Sequence, residues 1–308
     1  MKNNITVQRA KTLCVSALSM AALATVSLAD DITSGHSALE TMEQETVEHK
    51  LQVNPGFTYV GETDFKNDRL GKMGVWRLDL PARYTMKTEA GDLGIGAFYE
   101  FSEYHVEDLI PTGYNYYDFN TLAFDTYWKG MIDDNWGYFV YGAVGLSSST
   151  HVGFGTGLTG MGGGGAQYVW SKDLSLGIGA LVATQMEDDP RVLPIIALNW
   201  QINERWALRT LRGVTVSYDV TGDKKFVADL GVSMMRREYR IDPDVAMTDN
   251  GWGLELGGTY RFSEAFALRG AVGALVGRNI QAWDNGDKLT QKDVESAPYV
   301  SVRALLTF

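Results

Sequence analysis

From Leu51 to the end of the chain, apolar and polar residues alternate with a period of two. Trp76, Leu78, Leu80, Ala82 and Tyr84 interleave with Arg77, Asp79, Pro81 and Arg83. Val140, Val144 and Leu146 share one face of another segment, and Leu174, Leu176, Ile178, Ala180 and Val182 share a face of a third. Phe226 to Met234 and Leu254 to Phe262 repeat the pattern. Such alternation is that of strands with one apolar and one polar face. No window carries a convincing amphipathic helix. Strands of this length, separated by turn residues, predict an all-β chain folded as an antiparallel transmembrane β-barrel rather than a sandwich of short strands.

The connections alternate between two kinds. Glu89–Asp92, Ile132–Asn135, Ser171–Asp173, Asn203-Glu204, Thr221–Lys224 and Ser263–Ala265 are short. Glu62–Lys72, Val106–Asn115, His151–Gly157, Glu187–Arg191, Asp242–Asn250 and Asn279–Ser296 are longer and mostly acidic. Outer-membrane barrels show this asymmetry, with turns toward the periplasm and loops outside, and an even strand number. Splitting Arg205–Asp219 near Arg212-Gly213 gives fourteen strands and keeps every short turn on one rim; twelve is the alternative. The two strands made by the split are shorter than the roughly 9–11 residues that a spanning strand needs.

Rings collect at the short turns. Trp128 and Trp136, Trp170, Trp200 and Trp206, Tyr218 and Phe226, and Phe262 and Phe266 all sit beside these turns on the apolar face. A headgroup interface accounts for such a girdle, because amphipathic rings prefer that level. The last strand alternates Val300, Val302, Ala304, Leu306 and the terminal Phe308 with Ser301, Arg303, Leu305 and Thr307, which resembles the signal read by the barrel-assembly machinery. At the other end, Lys2, Arg9 and Lys11 precede an apolar stretch closed by Ser27-Leu28-Ala29, the layout of a secretory signal peptide over residues 1–29, cleaved after Ala29. Residues 30–50 read as a flexible acidic leader and 51–308 as the barrel. The one cysteine, Cys14, leaves with the signal, so disulfides and thiol chemistry are not expected. A net charge of −11 argues against nucleic acid as a partner. The expected partners are outer-membrane lipid, periplasmic chaperones and the assembly machinery.

The polar parity places Arg77, Arg83, Arg209, Arg237, Arg261, Arg269 and Arg303 on the inward face, against Asp79, Glu100, Asp125, Asp219, Asp229 and Glu255. These charges either pair and stiffen the wall or line a polar passage, and their near-balance predicts weak charge selection. Gly155, Gly157 and Gly160 have the spacing of a dinucleotide fingerprint but lack the strand-then-helix setting it requires. His36, His49, His105 and His151 stand far apart and predict no metal site, and no cofactor is expected. His105 and His151 lie at the long-loop rim near Glu103, Asp108 and Ser147–Thr150, where a hydrolase would need a base beside a hydroxyl. Glu187-Asp188-Asp189 reads as a solvated acidic loop before it reads as a cation site. The functional expectation is therefore a non-enzymatic, passive channel or binding barrel for a small polar solute. The alternatives are a plugged structural or surface-interaction barrel and a rim hydrolase.

The segments GFTYVGETDF at 56–65, VWRLDLPARY at 75–84, MEDDPRVLPIIALNWQINERWALRT at 186–210 and RREYRI at 236–241 resemble an uncharacterised family of Gram-negative outer-membrane β-barrel proteins, described as a domain of unknown function. The anchor is the Glu187–Pro190 loop running into a strand that ends in Trp200-Gln201-Ile202. The resemblance implies fold and location and brings no catalytic residue.

Overall fold

The computed structural model describes residues 49–66, 71–106, 118–187, 189–211 and 213–308. The expected signal peptide, the expected leader up to residue 48, His36, Asp108, Asp188 and Arg212 lie outside them. The strands are β1 (His49–Val53), β2 (Gly56–Asp64), β3 (Lys72–Thr88), β4 (Gly91–Val106), β5 (Asp118–Met131), β6 (Trp136–Ser149), β7 (Leu158–Ser171), β8 (Leu174–Ala183), β9 (Arg191–Gln201), β10 (Trp206–Thr210), β11 (Gly213–Asp219), β12 (Phe226–Asp242), β13 (Val245–Arg261), β14 (Phe266–Asp284), β15 (Asp287–Asp293) and β16 (Ala297–Thr307). Each pairs with the next in antiparallel fashion from β2 to β14, and β16 closes the ring by pairing with both β14 and β2. The result is a closed fourteen-stranded barrel. β15 is the returning arm of a rim hairpin with β14. β1 extends the line of β2 along β3 past a break at Asn54-Pro55. His49 and Lys50, expected in the leader, are thus the first residues of β1.

Alternation decides which side chains face out. Leu78, Leu80, Ile178, Leu230, Leu256 and Val302 are all exposed on the outer wall, Leu230 at 60%. At the short-turn rim the exterior rings touch: Trp136 with Tyr168 at 4.9 Å, Tyr168 with Trp170 at 4.6 Å, Trp206 with Tyr218 at 4.6 Å and Phe262 with Phe266 at 5.1 Å. The inner wall is packed. Near the long-loop rim, Val60, Met73, Tyr104, Phe119, Tyr239, Leu275, Ile280 and Val294 form one buried cluster. A second, with Phe98, Phe139, Met161, Leu181, Leu193 and Ile195, lines β4 to β9.

The wall has a low side. β10 and β11 hold 5 and 7 residues where β12 and β13 hold 17 each, so the β10–β11 hairpin stops short of the long-loop rim. Backbone groups left there need other partners. Thr210 Oγ1 accepts from Leu198 N at 3.0 Å. Odd positions of β9 donate toward β8 and even ones toward β10, so Pro194 stands where an N–H would have no strand to reach. Above the low side, β12 meets β6 directly in a parallel contact at Arg240 and Ser148, which closes the upper ring without β7 to β11.

Two expected loops are strands instead. Asp242–Asn250 contains only a two-residue turn, Pro243-Asp244, and Asn279–Ser296 is largely the β14–β15 hairpin. Val245 and Met247 in the first segment, Ile241 just before it and Ile280 in the second all pack into the upper cluster, and this packing draws the strands beyond the belt.

The β5–β6 turn depends on Asp133, whose Oδ1 accepts from Trp136 N at 2.7 Å and Asn135 N at 2.8 Å. The Trp136 amide, and after it that of Asn135, holds this carboxyl below the ordinary carboxylate range. A lowered value means the bonds help folding above the unfolded carboxylate pKa of about 3.9 and are lost as pH falls through the folded one. Hydrogen exchange of the Trp136 and Asn135 amides, corrected for intrinsic rate, should therefore accelerate below about pH 4. Asp133→Ala should show the fast exchange at every pH.

Candidate functional site

The inward charges fall into two geometries. In the first, an ion pair joins strands that are next neighbours but one and lies flat over the strand between. Arg83 of β3 bonds Asp125 of β5 at 2.5 Å, and the residue registered between them on β4 is Gly96. A Cβ at Gly96 would lie 2.2 Å from Asp125 Oδ2, so the pair exists only because that position carries no side chain. Arg303 of β16 reaches Asp79 of β3 at 2.6 Å across Gly56 of β2. Arg269 of β14 reaches Asp229 of β12 at 2.5 Å across Gly257 of β13 and also bonds Glu255 at 2.5 Å. Tyr299 of β16 lies over Gly273 of β14 and donates to Glu255 of β13 at 2.9 Å.

In the second geometry the ties cross the barrel. Arg237 of β12 donates twice to Glu100 of β4, at 3.1 and 3.2 Å. Arg77 of β3 reaches Asp249 of β13 at 3.3 Å. Arg278 of β14 grips the same carboxylate twice, at 2.8 and 2.7 Å, and Tyr104 OH donates to it at 2.9 Å. Tyr239 OH donates to Glu100 at 3.3 Å, and Ser102 Oγ donates to it at 2.8 Å. Tyr104 and Tyr239 touch at 3.5 Å, so the two carboxylates belong to one continuous network. Most of its members are sealed: Arg278, Tyr104 and Tyr239 are each 1% exposed, while Arg237 is half-buried. Toward the short turns the lumen opens into a cavity of about 920 Å³, lined among others by Lys129, Asp92, Gln167, Asn199, Gln201 and Arg209.

The positions Arg77, Asp79, Arg83, Glu100, Asp125, Asp229, Arg237, Glu255, Arg269 and Arg303 all lie on the inner wall as members of these two sets, and Arg209 lies in the cavity. Asp219 instead caps the β11–β12 turn, accepting from Gly222 N at 2.8 Å and Lys224 N at 2.9 Å. Arg261 is exposed at the short-turn rim. Phe308 is exposed on the outer face, its backbone paired both ways with Leu51 of β1. His105 points outward, 3.9 Å from Glu62, and His151 is exposed with no side-chain partner among the described residues. The structure thus brings neither histidine to a buried hydroxyl. Glu187 is not solvated as expected: it pairs with Arg240 and accepts from Gly286 N at 3.1 Å. Among the described residues no cluster could hold a metal. Gly155 to Gly160 lead into β7 rather than a helix, and a Cβ at Gly157 would strike Ser147 O.

Asp249, Arg278, Tyr104 and Tyr239 were not singled out from the sequence. Arg278 faces inward because Gly277, at φ +59°, adds one residue to β14 opposite Asn250 and Trp252 and so reverses the parity beyond it.

Fold and inner wall define a closed antiparallel barrel of the transmembrane kind. A profile described as a domain of unknown function, DUF6268, matches residues 128–303, and the chain belongs to that family. Among curated proteins none matches. Similar solved structures include a deltaS2S3 mutant of the monoaromatic hydrocarbon channel TodX, at 12% identity over 94% of this chain and 98% of that one with a TM-score of 0.49. A FadL homologue of Pseudomonas aeruginosa matches at 10% identity over 84% and 90% with a TM-score of 0.48. An outer membrane channel from Pseudomonas putida F1 matches at 11% identity over 84% and 95% with a TM-score of 0.45. At these identities and scores no cargo is carried over to this chain.

The flat pairs give a direct test of the glycine argument. Gly96→Ala should lower barrel stability by about 1–3 kcal/mol, through overpacking and a displaced ion pair. Gly270→Ala, whose Cβ would meet nothing within 4 Å, should leave it unchanged. The temperature at which the folded gel band converts to the unfolded one reads both.

Proposed function

We propose that this chain is an outer-membrane barrel whose resting conformation is closed to free diffusion, with a polar vestibule facing the periplasm and a gate of side chains toward the outside. The apolar outer belt and the ring girdle at the short turns support the location. The observation that carries the closed reading is the crossing network, in which Arg237–Glu100 and Arg77–Asp249 join β12 and β13 to β4 and β3 across the lumen, with Arg77, Glu100, Asp249 and Arg278 buried and Arg237 half-buried. Lower down the pairs lie flat against the wall, which is why a vestibule remains there.

A passive polar channel with a permanently open lumen is the weaker reading, because the upper cluster and the crossing ties fill the section that such a solute must pass. A small polar solute can enter from the vestibule and is admitted further only when the ties release. The hydrolase reading has no support from the positions of His105 and His151.

Refolded protein in planar bilayers should be silent. The triple substitution Glu100→Ala, Arg237→Ala and Tyr239→Ala removes both charges of one tie together with its ring, so it creates no new unpaired buried charge. Stable conductance steps should then appear. Steps from the unaltered barrel, or a folded but silent triple variant, would overturn the gate.

A further inference from the structure

The constriction is not neutral. It contains three guanidinium groups, Arg77, Arg237 and Arg278, and two carboxylates, Glu100 and Asp249. Arg237 and Glu100 satisfy each other in a two-pronged bond. That leaves Asp249 alone facing two arginines. Its Oδ1 accepts from Arg278 Nε, and its Oδ2 accepts from Arg278 Nη2, Arg77 Nη2 and Tyr104 OH. Oδ2 is fully used, and Oδ1 is engaged by Arg278 Nε. Arg77 Nε and Arg278 Nη1 remain as buried donors with no acceptor among the described residues. Arg77 is 2% exposed and Arg278 1%, so bulk water does not compensate. An unmet buried donor is destabilising, more so when it is charged, and an uncompensated buried charge adds to the cost.

We propose that this pair of arginines holds a small monovalent anion of halide size, which accepts from the two free guanidinium edges and cancels the excess charge. The two groups lie side by side, because both touch the same Asp249 oxygen. A spherical anion can meet donors arriving from two directions without directed lone pairs. The inference deepens the closed constriction described above. The anion completes it, neutralising the arginines that Asp249 alone cannot.

The test is an equilibrium one, so it does not depend on whether the barrel conducts. Potassium chloride is titrated against potassium gluconate at constant ionic strength, and the midpoint of the thermal gel-mobility transition is read. The midpoint of the unaltered protein should rise with chloride and saturate, as for any ligand bound by the folded state only. Asp249→Asn keeps both arginines and removes the competing charge, so its half-saturating chloride concentration should fall at least tenfold. Arg77→Gln cancels the excess and should abolish the response. Should Arg77→Gln fail to fold, a bromide peak in anomalous diffraction from the unaltered protein, within contact distance of Arg77 Nε and Arg278 Nη1, decides in favour. Absence of a chloride-specific rise, or equal responses in all three proteins, would overturn the site and leave a water molecule as the partner of these donors. Conductance of the unaltered barrel together with a normal chloride response would refute the gate alone.

Discussion

A charge on the inside of a narrow barrel must find its counter-charge within the reach of a side chain, because the alternative is an ion stranded in a medium of low dielectric. Adjacent strands lie about 4.8 Å apart, so next neighbours but one are separated by about twice that. An arginine spans the gap only if the strand between presents nothing on the same face. The positions of Gly56, Gly96 and Gly257 follow from this constraint. Each lets an ion pair bind three strands rather than two, and Gly273 does the same for Tyr299 and Glu255. In these strands glycine brings its usual entropic cost, and what offsets it is the charge pair lying above.

The same constraint separates what is legible in the residues alone from what is not. Period-two alternation settled the barrel, the outer belt and the inward parity of Arg77, Arg83 and Glu100, since those strands run without interruption. Register is legible where a short turn fixes it. The tight connection between Thr88 and Gly91 sets Arg83 opposite Gly96. The other half of that bridge, Gly96 opposite Asp125, is set across the long connection between β4 and β5, whose length specifies no register. Asp249 was hidden because Asp242–Asn250 reads as an acidic loop. What made it a strand was the packing of Val245 and Met247 in the upper cluster, a tertiary fact. Arg278 was hidden by one residue, since the extra position at Gly277 moves it from the outer face to the inner one.

The low side of the wall follows from the same accounting applied to the backbone. A hairpin of 5 and 7 residues cannot supply ladder partners to the full edges of β9 and β12. In a membrane those edges must be satisfied or covered. Thr210 serves part of β9, Pro194 removes one donor, and β12 turns its upper end to β6. Residues 185–187 cover what remains: Gln185 accepts from Arg236, Glu238 accepts from Met186 N, and Glu187 pairs with Arg240. Here charged side chains occupy positions whose parity is that of the lipid face. They are buried by a loop, which explains why the acidic character of that loop was misread as solvation.

A count of charges over the inner face gives near-neutrality, and from a count alone weak selectivity follows. Distance changes the conclusion, because the attraction between charges falls with separation and pairs are not interchangeable. Toward the short turns, Arg269 is shared by two carboxylates, Asp229 and Glu255, an excess of one negative charge. In the constriction, Asp249 is shared by Arg77 and Arg278, an excess of one positive charge. The two excesses cancel in the sum and lie on different levels of the barrel. Glu255 and Asp249 stand six residues apart on β13, on the order of 20 Å along the strand at about 3.3 Å per residue. The side chains alone therefore polarise the interior along its axis, with the positive end in the most deeply buried section, where the proposed anion would sit. A solute moving from vestibule to gate meets first the acidic level and then the basic one, so the sign of its charge acts in opposite directions at the two.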